Sequence, residues 1–294
     1  MREAERQMRK EVCTARMSER RFLKTQWVDL GRVSLRFALH GPPDADGPPL
    51  LLLHEMAASM ETWEPAIELL AREHRVAAYD WRGCGGSEKI IGAVSMDDHV
   101  GDLAAFLDHL AFDRAPVIAG VAVGAAIAAS FAARHPDRLS GLVLISPAMG
   151  VPADQRSERE KQIADLERDG LRSIVTKSMD GGYPAHLREG REAAFEAFRA
   201  RWISGDVKSF AATYRMLLAI DMPPVLRRIA CPTLLIAGEF DPVRHPDYVR
   251  ELTEMIVGAR MTTVPGGHHM PHQIPQICAE ELAGFAASLG DAGS

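Results

Sequence analysis

Gly120-Val121-Ala122-Val123-Gly124 ends a short apolar run (Val117, Ile118, Ala119) and opens an alanine-rich helical run from Ala125 to His135. Strand, sharp turn and helix in that order form the setting in which a Gly-x-Ser-x-Gly turn presents a nucleophilic hydroxyl at its apex. The glycines fit the close approach of strand and helix backbones at such a turn. The middle position carries Ala122, whose methyl group has no lone pair and no proton to give. Covalent chemistry at this apex is therefore missing its atom. Cys84, Ser87 and Ser146 bear a thiol or hydroxyl, but they fall on other loops, and no base is implied beside Cys84.

Around this turn the hydrophobic pattern lays out a sheet. Gln26–Leu30 and Val33–Leu39 alternate about Gly31 and predict an antiparallel hairpin. Pro49–Leu53 is continuously apolar, as a parallel strand covered on both faces must be. Helical spacing over Glu61–Arg72 leads to a strand at His74–Tyr79. Ser95–Leu110 reads as a helix with Ser95 as N-cap and Asp98 three residues on. A strand at Leu142–Ile145 follows the alanine-rich helix. From about Ala148 to Ile229 strand signals vanish in favour of charged helical stretches with scattered aromatics. The alternation resumes with a strand at Pro232–Ala237, helix at Tyr248–Met255, strand at Arg260–Val264 and a last helix at Gln276–Leu289. Strands alternating with helices predict an α/β fold with a mostly parallel sheet flanked by helices. The core comprises 25–147 and 229–294, and 148–228 forms an inserted helical cap over the strand ends where such sheets place ligands. Residues 1–24 are charge-dense and predict a solvated N-terminal arm.

The bulk properties narrow the function. In 294 residues, 47% are hydrophobic and 25% charged, the balance of an ordinary globular protein. The net charge of −6 argues against general nucleic-acid binding. No apolar run approaches a membrane span, and the N-terminus lacks the apolar core of a secretory signal. Cys13, Cys84, Cys231 and Cys278 are too scattered for a metal site or disulfide frame, so reduced thiols and a cytoplasmic location are expected. No metal cluster or phosphate-cradling loop appears. Gly120–Gly124 does not continue as a dinucleotide fingerprint, so no cofactor is expected. The expected partner is a small molecule. The arm and the cap both offer surfaces for a homodimer.

Four motifs in order give the chain a family likeness. They are Leu51-Leu52-Leu53-His54-Glu55-Met56, Asp80-Trp81-Arg82-Gly83-Cys84-Gly85-Gly86-Ser87, Gly120–Gly124, and the pair Leu235–Asp241 with Val264–Pro271. Together they resemble the α/β-hydrolase superfamily from about Trp27 onward. The nearest likeness is to enol-lactone hydrolases and other small-substrate esterases. The resemblance implies an α/β-hydrolase fold and action on a small carbonyl compound such as an ester, lactone, amide or diketone.

The resemblance also implies roles. An acid after a late strand orients a histidine, which deprotonates the nucleophile. Asp241 matches the acid, with Glu239 as an alternative. His269, preceding Met270-Pro271, matches the histidine in preference to His268. The oxyanion donors would be the backbone N–H groups of Met56 and Val123, which survive any side-chain change. Glu55 stands where the family usually has glycine. A carboxylate there would oppose a developing oxyanion, so it is expected to turn toward a cation such as Arg82. Alternatively it faces His269 as an acid or base. Asp80 and Arg82 read as loop-holding residues. Tyr183, His186, Phe195, Phe198, Trp202, Phe210, Tyr214 and Met216 are candidates to line a pocket or to fill the cap core.

Three explanations of Ala122 remain open at this point. It is an introduced Ser→Ala change that traps substrate, a natural residue in an enzyme using His-activated water or proton transfer, or part of a small-ligand-binding protein without turnover. Glu55, Ala122, Ala125 and His268 all depart from the usual pattern near one another, which favours natural divergence.

Overall fold

In the computed structural model, which describes residues 23–290, eight strands form one sheet in the order β1-β2-β4-β3-β5-β6-β7-β8. The expected arm over residues 1–24 lies almost wholly outside the described residues. β1 (Thr25–Asp29) and β2 (Ser34–His40) pair antiparallel, and β2 pairs antiparallel with β4 (Val76–Tyr79). The remaining strands, β3 (Leu50–Leu53), β5 (Val117–Val121), β6 (Gly141–Ile145), β7 (Thr233–Gly238) and β8 (Arg260–Val264), run parallel with β4.

The centre of the sheet is apolar because helices cover both of its faces. All four leucines of β3 are fully buried, and burying a leucine side chain contributes about 1.5–3 kcal/mol. The helices of the core are α1 (Glu64–Leu70), α2 (Met96–Leu110) and α3 (Val123–Arg134). Ser95 and Asp98 close a reciprocal capping box at the start of α2, as the sequence predicts. The predicted helix over Glu61–Arg72 is shorter than expected. A single 3-10 turn at Met60–Thr62 precedes it, and α1 begins at Glu64 with Pro65 in its first turn, where proline's missing N–H costs nothing.

The inserted cap contains α4 (Arg156–Asp169), α5 (Glu192–Ile203), α6 (Val207–Ala219) and the short α7 (Pro223–Leu226). It has its own apolar cluster, which includes Met179, Tyr183, Phe195, Phe198, Trp202 and Phe210. Most of the cap aromatics are thus core. Met216 instead joins the main core beneath. Past the cap, α8 (Pro246–Thr253) follows β7, and α9 (Met270–Gln273) and α10 (Pro275–Gly290) follow β8. Cys84, Cys231 and Cys278 are free thiols. Among the described residues no helix is long and apolar enough to cross a membrane, and no group of metal-ligating side chains gathers.

Candidate active site

The turn between β5 and α3 has the strained geometry of an elbow. Ala122 sits at φ 50°, ψ −108°, a region that costs an L-residue on the order of 1–3 kcal/mol. Two backbone bonds hold it there. Its N–H donates to Ile145 O at 3.0 Å, and its carbonyl accepts from Ala148 N–H at 3.0 Å. The flanking glycines are obligatory. A Cβ on Gly120 would lie 2.4 Å from the Gly124 carbonyl carbon and oxygen, and one on Gly124 would lie 2.5 Å from His54 O. Ala122 and Val123 are both buried. The N–H groups of Val123, at the start of α3, and of Met56, in the loop after β3, donate to no backbone carbonyl.

β3 delivers His54 and Glu55 to the same end of the sheet, and both are buried. Glu55 does not meet Arg82, as the simpler expectation had it. Arg82 donates two hydrogen bonds to Asp102 of α2, each at 2.7 Å. Glu55 instead turns to the loop after β8, where its Oε1 accepts from Nδ1–H of His269 at 2.9 Å. Both partners are enclosed, with side-chain exposures of 4% for His269 and 2% for Glu55. Burial pushes the Glu55 carboxyl upward, but the hydrogen bond and charge of His269 outweigh burial and hold it below its ordinary value. Glu55 is therefore an ionised carboxylate orienting an imidazole. Nε2 of His269 and Oε2 of Glu55 are buried without a protein partner.

The pairing implied for Asp241 is likewise corrected. Its Oδ2 lies 2.9 Å from Nδ1 of His268, not on His269. Ser146 Oγ donates to the same oxygen at 2.7 Å, and Val243 and Arg244 N–H donate to Oδ1 at 2.8 and 3.0 Å. Burial opposes ionisation of Asp241, but His268 and these donors overcome it and hold the carboxyl far below the usual range. The adjacent histidines thus point to different carboxylates. One lies at the end of β3 and the other after β7, and the two rings are 5.3 Å apart between centroids. Ser146 is spoken for by Asp241, and Ser87 Oγ by the Asp80 carbonyl. Cys84 is buried, which keeps its thiol protonated well above the ordinary range. Asp80 holds its loop by accepting from Arg36 Nε, Met60 N–H and Gly86 N–H, and Glu239, the alternative acid, is exposed.

The cap closes on the histidines through Gly182, a contact the sequence did not signal. The Gly182 carbonyl accepts from His268 N–H at 2.8 Å and from Gln273 Nε2 at 2.9 Å. A Cβ on Gly182 would lie 2.8 Å from His268 Cβ and 3.2 Å from His269 Nε2. Phe198 packs edge-on against His269 at 5.1 Å, and Tyr183 tilts over it at 6.4 Å. Tyr183 OH lies 3.2 Å from Nδ1 of His272. Behind Met56, a small cavity is lined by Trp81, Cys84, Leu171, Phe210 and Thr213. Of the aromatic candidates, Tyr183 and Phe198 reach the site itself. His186 packs on Phe240 instead.

A mostly parallel eight-stranded sheet, a strained elbow after β5 and a carboxylate-held histidine after β8 define an α/β hydrolase. Residues 48–273 match the α/β-hydrolase fold family, and the chain belongs to it. It is an enzyme of that family related to enol-lactonases and carbamate hydrolases. It is 25% identical to 3-oxoadipate enol-lactonase 2 of Acinetobacter baylyi, over 83% of this chain and 90% of that one. It is 30% identical to RutD of Azorhizobium caulinodans, assigned as a carbamate hydrolase, over 88% of this chain and 97% of that one. The crystal structure of the enol-lactonase from Burkholderia xenovorans LB400 superposes with a TM-score of 0.82, covering 89% of this chain and 100% of that one at 23% identity. That likeness establishes the fold.

Proposed function

We propose that the enzyme hydrolyses a small carbonyl compound (a lactone, ester, amide or carbamate) by direct attack of water, with His269 as general base and Glu55 as its orienting carboxylate. The observation that carries this reading is the enclosed hydrogen bond between Glu55 and His269 at 2.9 Å, with Nε2 carrying no protein hydrogen bond. A methyl group at position 122 leaves the apex without a competing hydroxyl. The free N–H groups of Met56 and Val123 receive the oxyanion.

This arrangement removes the objection to a carboxylate beside an oxyanion hole. As water is deprotonated, His269 becomes an imidazolium lying against the ionised Glu55. The positive ring offsets the carboxylate, and the developing oxyanion is answered by backbone dipoles. General-base catalysis of this kind contributes about 10²- to 10⁴-fold. The enol-lactonase and carbamate hydrolase names of the relatives support a carbonyl carbon as the centre attacked.

The test is hydrolysis of p-nitrophenyl acetate, a small enol lactone and a small carbamate by wild type and His269→Ala. The variant should lose about 10²-fold or more in kcat. Turnover that is indifferent to His269 would remove the base from the scheme. A folded wild-type enzyme that binds these compounds without converting any of them would favour a ligand-binding protein.

A further inference from the structure

Gln273 ends the short helix α9 and is buried. Both ends of its side-chain amide are used. Oε1 accepts from Gly267 N–H at 2.9 Å, directly before the two adjacent histidines, and Nε2 donates to the cap carbonyl of Gly182 at 2.9 Å. That carbonyl also accepts from His268 N–H at 2.8 Å. One cap oxygen is thus held twice, by the backbone of the histidine loop and by a side chain that grips the same loop one residue earlier. The space is closed, since a Cβ on Gly267 would lie 2.6 Å from Gly182 O and 2.8 Å from Gln273 Nε2.

An N–H on one side and a C=O on the other give the amide a single orientation, and they demand a group that both accepts and donates. A carboxylate here would satisfy Gly267 but set a negative oxygen against the Gly182 carbonyl. A thioether would satisfy neither. The cap reinforces the contact from its own side, where Arg191 donates to the Gln273 carbonyl and Tyr183 OH lies 3.2 Å from Nδ1 of His272. The cap packs around its own apolar cluster. Apolar packing is non-directional, so these directed bonds add a register between cap and histidine loop that packing alone does not fix.

We propose that Gln273 is a positioning residue that latches the cap to the loop carrying His268 and His269 and so fixes that loop beneath the closed cap. The inference rests on the reading above only in that a histidine of this loop serves as the base, and it holds for either of them. Gln273 acts through Gly267 and Gly182 and need not touch substrate. With the latch open, Gly182 O keeps one donor of two, and Gly267 N–H loses its acceptor. The imidazoles then lose the fixed backbone from which they reach Asp241 and Glu55, each at 2.9 Å.

The test compares Gln273→Glu and Gln273→Met with wild type in the full chain, and its first readout does not depend on turnover. Amide hydrogen exchange of the His268 N–H, which is bound to Gly182 O, reports the latch. In Gln273→Glu the ionised carboxyl lacks the donor for Gly182 O and the protonated acid regains it. Relative to wild type, exchange at His268 should be at least about tenfold faster above the titration of the new carboxyl, the scale of one lost buried hydrogen bond, and return to the wild-type rate below it. In Gln273→Met it should be faster at every pH. The ring N–H signals of His268 and His269, read by ¹⁵N labelling, should broaden and sharpen in step with that exchange. With an ester probe kcat should fall while KM changes little. Exchange that matches wild type at every pH overturns the latch, and so does a loss in Gln273→Glu that acid does not repair. Unaltered ring signals beside loosened exchange, or a rise in KM with kcat unchanged, overturn the positioning role. If Gln273→Met folds poorly, Gln273→Glu decides alone. The hydrolysis assay on His269→Ala reports separately on the base, so the two ideas fail by different measurements.

Discussion

Replacing Glu55 by glutamine isolates the contribution of the buried pair. Glutamine keeps the shape and an acceptor oxygen at the position 2.9 Å from His269 Nδ1 but removes the charge. Two unit charges about 4 Å apart attract by about 4 kcal/mol at an effective dielectric constant near 20. That is a ceiling for what the imidazolium loses in the transition state, since glutamine also relieves the burial of a carboxylate. Half to three-quarters of it, about 2–3 kcal/mol, corresponds to a fall in kcat of about 30- to 150-fold. KM should change little, because the charge acts on the proton transfer. The assay is steady-state hydrolysis of the small lactone and ester across pH, with thermal unfolding measured in parallel. Glu55 is held below its ordinary value of 4.5 in the folded state, so it contributes stability above that pH and loses it as pH falls through the folded value. The stability gap between wild type and Glu55→Gln should thus be widest at neutral pH and close below about 4.5. A variant with undiminished kcat in a folded protein would refute the reasoning, whatever its stability.

Three further outcomes follow from the same geometry. Ala122→Ser should give neither burst kinetics nor stoichiometric labelling by a serine-reactive phosphonate on the reading that His269, held by Glu55, activates water; a burst with full labelling would mean that the His268–Asp241 pair serves a serine hydrolase lacking one atom. Gly182→Ala adds a Cβ 2.8 Å from His268 Cβ and 3.2 Å from His269 Nε2; overpacking of this kind costs about 1–3 kcal/mol, so the melting temperature and kcat/KM should both fall, and a neutral result would show that the cap does not press on the histidines. Asp241→Asn leaves His268 and two backbone donors without their carboxylate; breaking a buried pair costs about 3–5 kcal/mol, and because Asp241 is held below its ordinary value of 3.8 the loss should be full at neutral pH and shrink as pH drops beneath that value, as acid-unfolding curves of the two proteins would reveal.

Much of this fold is legible in the residue pattern, because burial on both faces leaves strands such as Leu50–Leu53 no choice but to be apolar throughout. The capping box at Ser95 and Asp98 is likewise local and could be read directly. The elbow was legible for the same reason, since Gly120 and Gly124 are demanded by atoms of the immediate strand, helix and neighbouring loop. The pairing of acids and bases was not. His268 and His269 are adjacent, so a change of one residue in the loop after β8 exchanges their partners. Only the relative placement of β3, β7 and β8 decides that Glu55 meets one and Asp241 the other. Arg82 was offered to Glu55 by proximity of motifs, yet α2 brings Asp102 to it in a bidentate grip that a single acceptor across the loop could not match. Gly182 carried no signal, because its importance comes from a cap segment nearly ninety positions away from the histidines it covers.

The survival of the elbow at Ala122 bears on what the site is for. Strain at a nucleophile is usually explained by the exposure it gives the reactive atom. Here there is no such atom, yet φ remains at 50°. The bonds that impose it, from Ala122 N–H to Ile145 O and from Ala148 N–H to Ala122 O, belong to the joining of β5, β6 and α3 and are independent of the side chain. The turn is therefore a property of the sheet, and the direction of the Val123 N–H comes with it. A methyl group at position 122 offers no atom for covalent attack and leaves the backbone donor undisturbed. On the reading proposed above, the carboxylate at position 55 is a fixed negative charge behind the imidazole. On that reading the two departures belong together.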